Sequence, residues 1–425
     1  MKLWALIVAI TVSVAAQVSA QDLNGVWQGT VGAQQRVLIV KKTSNALRGE
    51  FYTLSEDRAV SPVSKITIEG NNVSFDLDYA LGTFKGMLSS DGQSIAGTWQ
   101  TRSTPQPLNL ARASAKDLWV VDPSPHRAQF VQVEKGVKLE VLDWGGKGPA
   151  IVFLAGMGNS AHVFDALAPK FTDKHHVYGI TRRGWGASSV PAPTDENYDA
   201  DRLGDDVLAV IDALKLNSPV VVGHSIAGEE LSSIGTRHPE KIGGLVYLEA
   251  TSEYAFYNPL GSGLDVDSAT LRRALAELAG RTTTSRALAL VEEIQATSKR
   301  LQANLPAYGA MRGAFPDPPQ IPPVVKQDLV IRAIKANVRK YGPVTVPMLA
   351  LIAVPHQCAP HCEEPAFKMD AANSVVQADG IEAGIKSARV VRLEYADHYL
   401  WHTHEADVLK EMNAFLEGVA KTTRR

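Results

Sequence analysis

The chain contains 425 residues, which is long enough for two domains. Hydrophobic residues make up 45% of it and charged residues 21%, as is ordinary for a soluble globular protein. The formal net charge of −2 gives no electrostatic reason to expect binding to nucleic acid or to an anionic membrane surface. A small-molecule substrate is therefore the expected partner, and the composition does not indicate an oligomeric state.

Residues 1–20 have the pattern of a cleaved signal peptide. Lys2 is followed by an apolar run at residues 3–10 and then by the small-x-small sequence Val18-Ser19-Ala20. A membrane anchor is the alternative, but the apolar run is short for a membrane span and lacks a basic flank. We expect cleavage before Gln21, no stable membrane insertion, and export of the mature protein as a periplasmic or secreted protein.

Residues 22–113 are expected to form a small all-β domain. Short alternating apolar runs, such as residues 37–40 and 73–77, are separated by turn sequences rich in Gly, Asn and Asp. The similar segments at residues 25–29 and 97–100 are candidates for the two closing strands of a barrel or sandwich. The tryptophans are expected in the core, and no combination of catalytic side chains is evident here.

Residues 114–128, which contain Pro123 and Pro125, are expected to link this domain to a second one at residues 129–425. After a hairpin at residues 130–142, buried strands alternate with helices, the first of them predicted at about residues 161–170. This alternation predicts an α/β fold with a mostly parallel sheet. Residues 251–345 have a helical pattern, which predicts a lid inserted between two strands. The site of such a sheet lies beyond the carboxyl ends of its strands.

A single serine follows an apolar, β-branched strand pattern of the second domain. The run at residues 219–222 leads into Gly223-His224-Ser225-Ile226-Ala227, and a helical pattern follows. Small residues on both sides of the serine allow a strand and a helix to approach closely across a sharp turn. We predict that Ser225 is a nucleophile and that the N–H of Ile226 contributes to an oxyanion hole.

A serine hydroxyl needs a general base, because it is weakly nucleophilic at its own pKa. His398 follows the last predicted strand, so it lies at the same edge of the sheet and is the predicted base. His402 and His404 begin the next helix and are expected at the surface. The second oxyanion donor is expected from the Gly156-Met157 turn, with the N–H of Met157 as the donor.

From about Phe130 onwards, the chain resembles the α/β-hydrolase superfamily of serine hydrolases, esterases and lipases among them. One departure is Ala155, where many members carry a histidine that helps to hold the oxyanion loop. The all-β domain lies outside the resemblance. The matching segments are Leu154-Ala155-Gly156-Met157-Gly158, Arg182-Arg183-Gly184-Trp185-Gly186-Ala187-Ser188, Gly223-His224-Ser225-Ile226-Ala227 and Ala396-Asp397-His398.

The acid of the triad is the second departure from the superfamily. The usual aspartate position, after the penultimate strand, lies in the sequence Val354-Pro355-His356-Gln357-Cys358. The resemblance implies that Glu249, at the end of the preceding strand, is the acid, because some members place it there. Glu363 is the alternative. We favour Glu249, since a strand end holds a side chain more tightly than a loop does. Asp397 is expected to be structural.

The sequence is compatible with three other interpretations. The sequence Gly156-x-Gly158-x-x-Ala161, with Arg182 and Arg183, could bind a dinucleotide phosphate, but this leaves Ser225 and His398 unexplained. A hydrolase-like scaffold without catalysis is a second alternative, and an amidase or peptidase on the same triad is a third. The favoured hypothesis is a carboxylic ester hydrolase that works through an acyl-enzyme.

No cofactor or metal is expected. The two cysteines, Cys358 and Cys362, are close enough in sequence for a local disulfide in an exported protein. A metal site formed by these cysteines with His356 and His361 is disfavoured, because four neighbouring residues rarely all face one ion.

Overall fold

The computed structural model describes residues 22–31, 34–42, 47–54, 60–77, 82–100, 105–113, 126–251, 264–314, 326–359 and 362–423. The expected signal peptide and most of the expected linker lie outside these residues. Within them, no helix is long and apolar enough to cross a membrane.

The described elements are sixteen strands, nine α-helices and four short 3-10 turns. The strands are β1 Gly25–Val31, β2 Gln34–Lys42, β3 Leu47–Leu54, β4 Val60–Glu69, β5 Asn72–Leu77, β6 Thr83–Leu88, β7 Ser94–Gln100, β8 Gln106–Arg112, β9 Arg127–Glu134, β10 Val137–Gly145, β11 Ala150–Leu154, β12 His176–Ile180, β13 Val220–His224, β14 Gly244–Leu248, β15 Met348–Ala353 and β16 Ala388–Leu393. The helices are α1 Asp195–Tyr198, α2 Ala200–Ala213, α3 Gly228–Arg237, α4 Leu264–Ala279, α5 Thr284–Ala314, α6 Lys326–Ala336, α7 Pro365–Gly384, α8 Leu400–Thr403 and α9 Glu405–Thr423. The 3-10 turns are Ala161–Phe164, Ala168–Phe171, Ser225–Ala227 and Pro239–Lys241.

The first eight strands form a closed antiparallel barrel in sequence order. Its interior is filled by stacked aromatic rings: Phe75 lies 4.8 Å from Phe84, and Phe51 lies 4.8 Å from Trp99, measured between ring centroids. The expected pairing of residues 25–29 with 97–100 is wrong, because β1 closes the barrel against β8. The sequence of β8 has too few large apolar residues to be recognised as a strand, although its Leu108 and Leu110 complete the core.

An eight-stranded sheet follows, in the order β16-β15-β14-β13-β11-β12-β10-β9. The strands from β11 to β16 run parallel to one another. At one edge, β10 pairs antiparallel with β12 and forms an antiparallel hairpin with β9. Adjacent residues of β11 enter different apolar clusters, Ile151 on one face and Val152 on the other. Both faces are therefore buried, which explains the continuous apolar strand sequences. The expected α/β fold with a mostly parallel sheet is confirmed.

The segment after β11 differs from its prediction. The expected helix at about residues 161–170 is replaced by the 3-10 turns Ala161–Phe164 and Ala168–Phe171. Pro169 explains the break, since proline lacks the backbone N–H that a continuous α-helix would need at this position. Helices α4, α5 and α6 lie between β14 and β15, where the helical insertion is expected.

Candidate active site

Ser225 lies at a sharp turn directly after β13. Its backbone φ is +54°, in the left-handed region that side chains with a Cβ disfavour. The turn is possible because strand and helix meet closely: a Cβ on Gly223 would lie 2.9 Å from Leu231 and 3.1 Å from the Cβ of Ala227. Half-buried Ser225 is thereby held at the carboxyl end of a central strand, with Ile226 beginning the turn into α3.

The loop after β11 packs directly against this turn. A Cβ on Gly156 would lie 3.2 Å from the Cβ of Ser225 and 2.8 Å from Nδ1 of His224. Only glycine fits at this distance. Met157, the next residue, packs in the same apolar cluster as Ile226. The two residues predicted to supply the oxyanion donors therefore follow Gly156 and Ser225 in the chain and share one apolar cluster.

Arg182 binds the backbone of this loop. Many superfamily members have a histidine for this purpose, at the position where this chain has Ala155. Nη2 of Arg182 donates to the Ala155 carbonyl at 2.9 Å and its Nη1 to the Gly156 carbonyl at 3.4 Å. The Nε donates to Glu230 on α3, the helix that follows Ser225. Both charged side chains are buried. One guanidinium thus joins the loop to the helix of the serine turn, a connection that sequence reasoning missed.

His398 lies in the loop after β16, and the backbone of this loop is attached to the serine turn. Nε2 of His224 lies 3.0 Å from the carbonyl oxygen of His398, so Nε2 carries the hydrogen and donates it. Burial lowers the pKa of His224 to about 3, which keeps this imidazole neutral. The rings of His224 and His398 lie 4.6 Å apart. Among the contacts of the described residues, Ser225 and His398 share no hydrogen bond.

The charges around His398 oppose one another. Desolvation by the surrounding protein lowers its pKa below the ordinary value, Glu249 and Asp397 act to raise it, and His356 acts to lower it. Asp397 also accepts a hydrogen bond from the backbone N–H of Tyr399 at 3.0 Å, so its carboxylate supports the loop. The net effect is a lowered pKa, which favours a neutral imidazole that can accept a proton.

Glu249 lies at the end of β14, where its φ of +46° is also left-handed. Its side chain is 8% exposed. Oε2 accepts a hydrogen bond from the N–H of Ala353 at 2.7 Å, which fixes the carboxylate between β14 and β15. Oε1 lies 3.4 Å from Nε2 of His356. In this geometry Glu249 is paired with His356, and it reaches His398 through its electrostatic field.

His356 occupies the loop in which the superfamily usually carries its acid, and no sequence motif indicates its role. Its Nδ1 lies 2.7 Å from Asp370 on α7. Burial disfavours the charged ring, but the hydrogen bonds to Asp370 and Glu249 outweigh it and raise the pKa of His356 to about 10. His356 is therefore an imidazolium at neutral pH. The loop is also closed by a disulfide between Cys358 and Cys362, so these thiols are not available as metal ligands.

Glu363, the alternative acid, lies outside this arrangement. Its side chain is 90% exposed and pairs with Lys368 at 2.8 Å. The pKa of Glu363 is lowered by that hydrogen bond. His402 and His404 lie in and after the short helix α8. Of the two carboxylates considered from sequence, the structure brings only Glu249 near His398.

The two arginines considered for a dinucleotide phosphate are both used inside the protein. Arg183 is fully buried and forms a fork with Asp206, with two N–O distances of 2.6 Å. It also lies 2.9 Å from Glu134. Arg182 is committed to Glu230 and the loop carbonyls. These contacts argue against a phosphate site at this position.

An apolar wall borders the serine turn. Helix α6, from the insertion between β14 and β15, packs on it through Val330, Ala333 and Ile334. Val330 lies so close to the loop after β12 that a Cβ on Gly184 would be 3.0 Å from its Cγ1. The other members of this apolar cluster are Met157, Trp185, Tyr198, Leu203, Ile226 and Ile331.

The Arg182–Glu230 pair provides a test of how the loop is held. Arg182→Met leaves Glu230 buried without its partner, which is expected to destabilise the protein by about 3–5 kcal/mol. The double variant Arg182→Met/Glu230→Gln is expected to recover most of that loss, since no uncompensated charge remains. Amide hydrogen exchange of residues 155–158 is expected to stay faster than wild type in both variants. Unchanged exchange in the double variant would contradict the anchoring role.

The chain matches a family model described as "Alpha/beta hydrolase family" over residues 151–411, which is more than half of its length. It is 26% identical over 106 residues to 2-(acetamidomethylene)succinate hydrolase of Mesorhizobium japonicum, covering 25% of this chain and 37% of that protein. It is 33% identical over 112 residues to the bifunctional esterase/perhydrolase DCH of Acinetobacter calcoaceticus, covering 26% of this chain and 40% of that protein. The chain thus spans less than half the length of these curated relatives.

Among solved structures, a hydrolase from Pseudomonas aeruginosa PA01 is similar, with 21% identity, a TM-score of 0.43, and coverage of 68% of this chain and 98% of that one. The sheet order, the strand–turn–helix at Ser225 and the extent of the family match agree with one another. The chain belongs to the alpha/beta hydrolase family.

Proposed function

We propose that this protein is a serine hydrolase that cleaves carboxylic esters through an acyl-enzyme. The observation that carries the proposal is the left-handed backbone conformation of Ser225. This residue packs against the loop after β11, and its neighbour His224 binds the loop of His398. A strained residue of this kind persists only where its surroundings hold it, and it is found preferentially at functional sites. The esterase among the curated relatives is consistent with this reaction class.

In the proposed reaction, His398 accepts the proton of the Ser225 hydroxyl as Oγ attacks the carbonyl carbon of the ester. The N–H groups of Met157 and Ile226 stabilise the negative oxygen of the tetrahedral intermediate. The intermediate then expels the alcohol, which takes the proton from His398. Water attacks the acyl-enzyme by the same steps and releases the acid. The hydrogen bond between His398 and Ser225 is proposed to form when substrate binds, since catalytic hydrogen bonds often tighten in the bound complex.

Glu249 is the proposed acid of the triad. A buried carboxylate near the imidazole stabilises the imidazolium that forms when His398 takes the serine proton. The N–H of Ala353 holds this carboxylate at the strand end. His356 is proposed as a second partner of Glu249 that balances its charge while the resting enzyme has a neutral His398. Arg182 is proposed as a positioning residue for the oxyanion loop.

The substrate is proposed to be small or medium-sized and partly apolar. The support is the apolar wall of α6, Met157 and Ile226 beside the serine turn. Helices α4, α5 and α6 are proposed to act together as the lid. Export to the periplasm or the medium is a further proposal, supported by the N-terminal sequence pattern and by the Cys358–Cys362 disulfide, a bond that persists in oxidising compartments.

Hydrolysis of p-nitrophenyl acyl esters tests the nucleophile. Wild type is expected to release p-nitrophenol, and Ser225→Ala is expected to lower kcat by about 10⁴-fold or more, since it removes the proposed nucleophile. The matched control is Ser94→Ala, which changes an exposed serine of β7 and is expected to keep full activity. Retained turnover in folded Ser225→Ala protein would refute the assignment.

The acid limb of the pH profile tests the charges around His398. In wild type, kcat/KM is expected to fall below a midpoint under about 6.5, because activity needs neutral His398 and its pKa is lowered. His356→Gln removes a cation and is expected to move the midpoint to higher pH. Glu249→Gln removes an anion and is expected to move it to lower pH, with a loss of about 10²–10⁴-fold in kcat.

Glu363→Gln is the control for this experiment, since its carboxylate is exposed and paired with Lys368. It is expected to leave both the midpoint and kcat unchanged. If Glu363→Gln lost activity while Glu249→Gln kept it, Glu249 would not be the acid. If His356→Gln moved the midpoint of the acid limb to lower pH, the proposed effect of the His356 charge on His398 would be wrong.

A further inference from the structure

A second cluster of ionisable side chains lies outside the proposed triad. It combines His126, just before β9, with His162 and Asp165 from the first 3-10 turn after β11 and the residue that ends it. These three side chains are only 3%, 14% and 6% exposed. The proposed hydrolysis uses none of them. Their spacing in the sequence, at positions 126, 162 and 165, does not match a metal-binding motif.

The donor atoms are spaced as the ligands of one metal ion are. Nδ1 of His126 lies 3.0 Å from Oδ1 of Asp165, and Nδ1 of His162 lies 3.3 Å from Oδ2 of Asp165. One donor atom from each of the three residues lies within 4.8 Å of the others. Ligand atoms about 2.0–2.2 Å from a tetrahedral Zn²⁺ are separated by about 3.3–3.5 Å. The two imidazole–carboxylate distances are thus close to the spacing of ligand atoms around one ion.

The residues around the cluster have the contacts expected of the outer shell of a metal site. Oε1 of Glu140 lies 3.7 Å from Nε2 of His162, on the side of the ring away from Asp165. Thr181 donates to Oε2 of the same glutamate at 2.7 Å. Nε1 of Trp144 donates to Asp165 at 3.1 Å. A histidine ligand commonly has a carboxylate on its second nitrogen, which orients the ring and makes it a stronger donor.

The local charge also favours a cation. Two carboxylates, Glu140 and Asp165, are buried within reach of His162. A divalent cation bound by neutral histidines would balance the same two negative charges.

We propose that His126, His162 and Asp165 bind one Zn²⁺ ion. Two imidazole nitrogens and one carboxylate oxygen are a donor set that zinc prefers, and a water molecule would complete four-coordination. The ion would join the residue that enters the hydrolase sheet at β9 to the turn that follows the candidate oxyanion loop. The proposed reaction at Ser225 does not use this ion.

Zinc binding to the full-length protein tests this inference. Protein stripped with a chelator and dialysed against Zn²⁺ is expected to retain one equivalent by elemental analysis, and Zn²⁺ is expected to raise its Tm. His126→Ala and Asp165→Asn are expected to lower the affinity by about 100-fold or more and to abolish the Tm increase. Glu140→Gln, which changes only the outer contact, is expected to lower it by about 10–100-fold.

His398→Ala and His175→Ala are the controls, since they change imidazoles outside the cluster. Both are expected to retain the equivalent of zinc, which separates this inference from the proposed hydrolysis. The Co²⁺-substituted wild-type protein is expected to absorb in the visible range. This absorption is expected to be lost in folded His126→Ala. No zinc retained by wild type, or zinc lost in His398→Ala but kept in Asp165→Asn, would overturn the proposal.

Discussion

The site depends on one close contact between a strand and a helix. The turn from β13 into α3 leaves no room for a side chain at Gly223, and the chain passes it only by placing Ser225 at φ +54°. Such a conformation costs on the order of 1–3 kcal/mol and must be maintained by its surroundings. The surroundings here are the flanking parallel strands, β11 and β14, which fix β13 along its whole length.

The loops around Ser225 are held by buried polar side chains. Arg182 binds two carbonyls of the loop after β11 and an acid on α3. His224, kept neutral by burial, holds the backbone of His398. Each anchor satisfies backbone groups that a buried loop would otherwise leave unpaired, at a cost of about 1–3 kcal/mol each. The same residues therefore stabilise the fold and position the proposed catalytic groups.

The fold was predictable because local patterns determine most of it. The apolar run of β13 with its small neighbours predicted the serine turn, and the helical insertion before β15 was also evident. Other features depend on contacts distant in sequence. Arg182 and His356 have no local signature, because their partners Ala155 and Glu249 lie 27 and 107 positions away. Closure of the barrel by β8 depends on the register of β1, which a weakly apolar strand does not reveal.

The position of the acid illustrates the same limit. A strand end constrains a side chain more than a loop does, and this favours Glu249 from sequence alone. His356 could not be anticipated, since its charge arises from the combined field of Glu249 and Asp370. The Glu249 carboxylate thus interacts with two histidines: it pairs with the charged His356, and it acts electrostatically on the neutral His398.

The most direct test of the proposed mechanism is covalent labelling with a fluorophosphonate probe, followed by intact mass and peptide mapping. The probe reacts with serines activated by a base and an oxyanion hole. The account predicts a single adduct on Ser225 in wild type, absent from Ser225→Ala and strongly slowed in His398→Ala. No adduct in folded wild type, or an adduct that remains in Ser225→Ala, would contradict it.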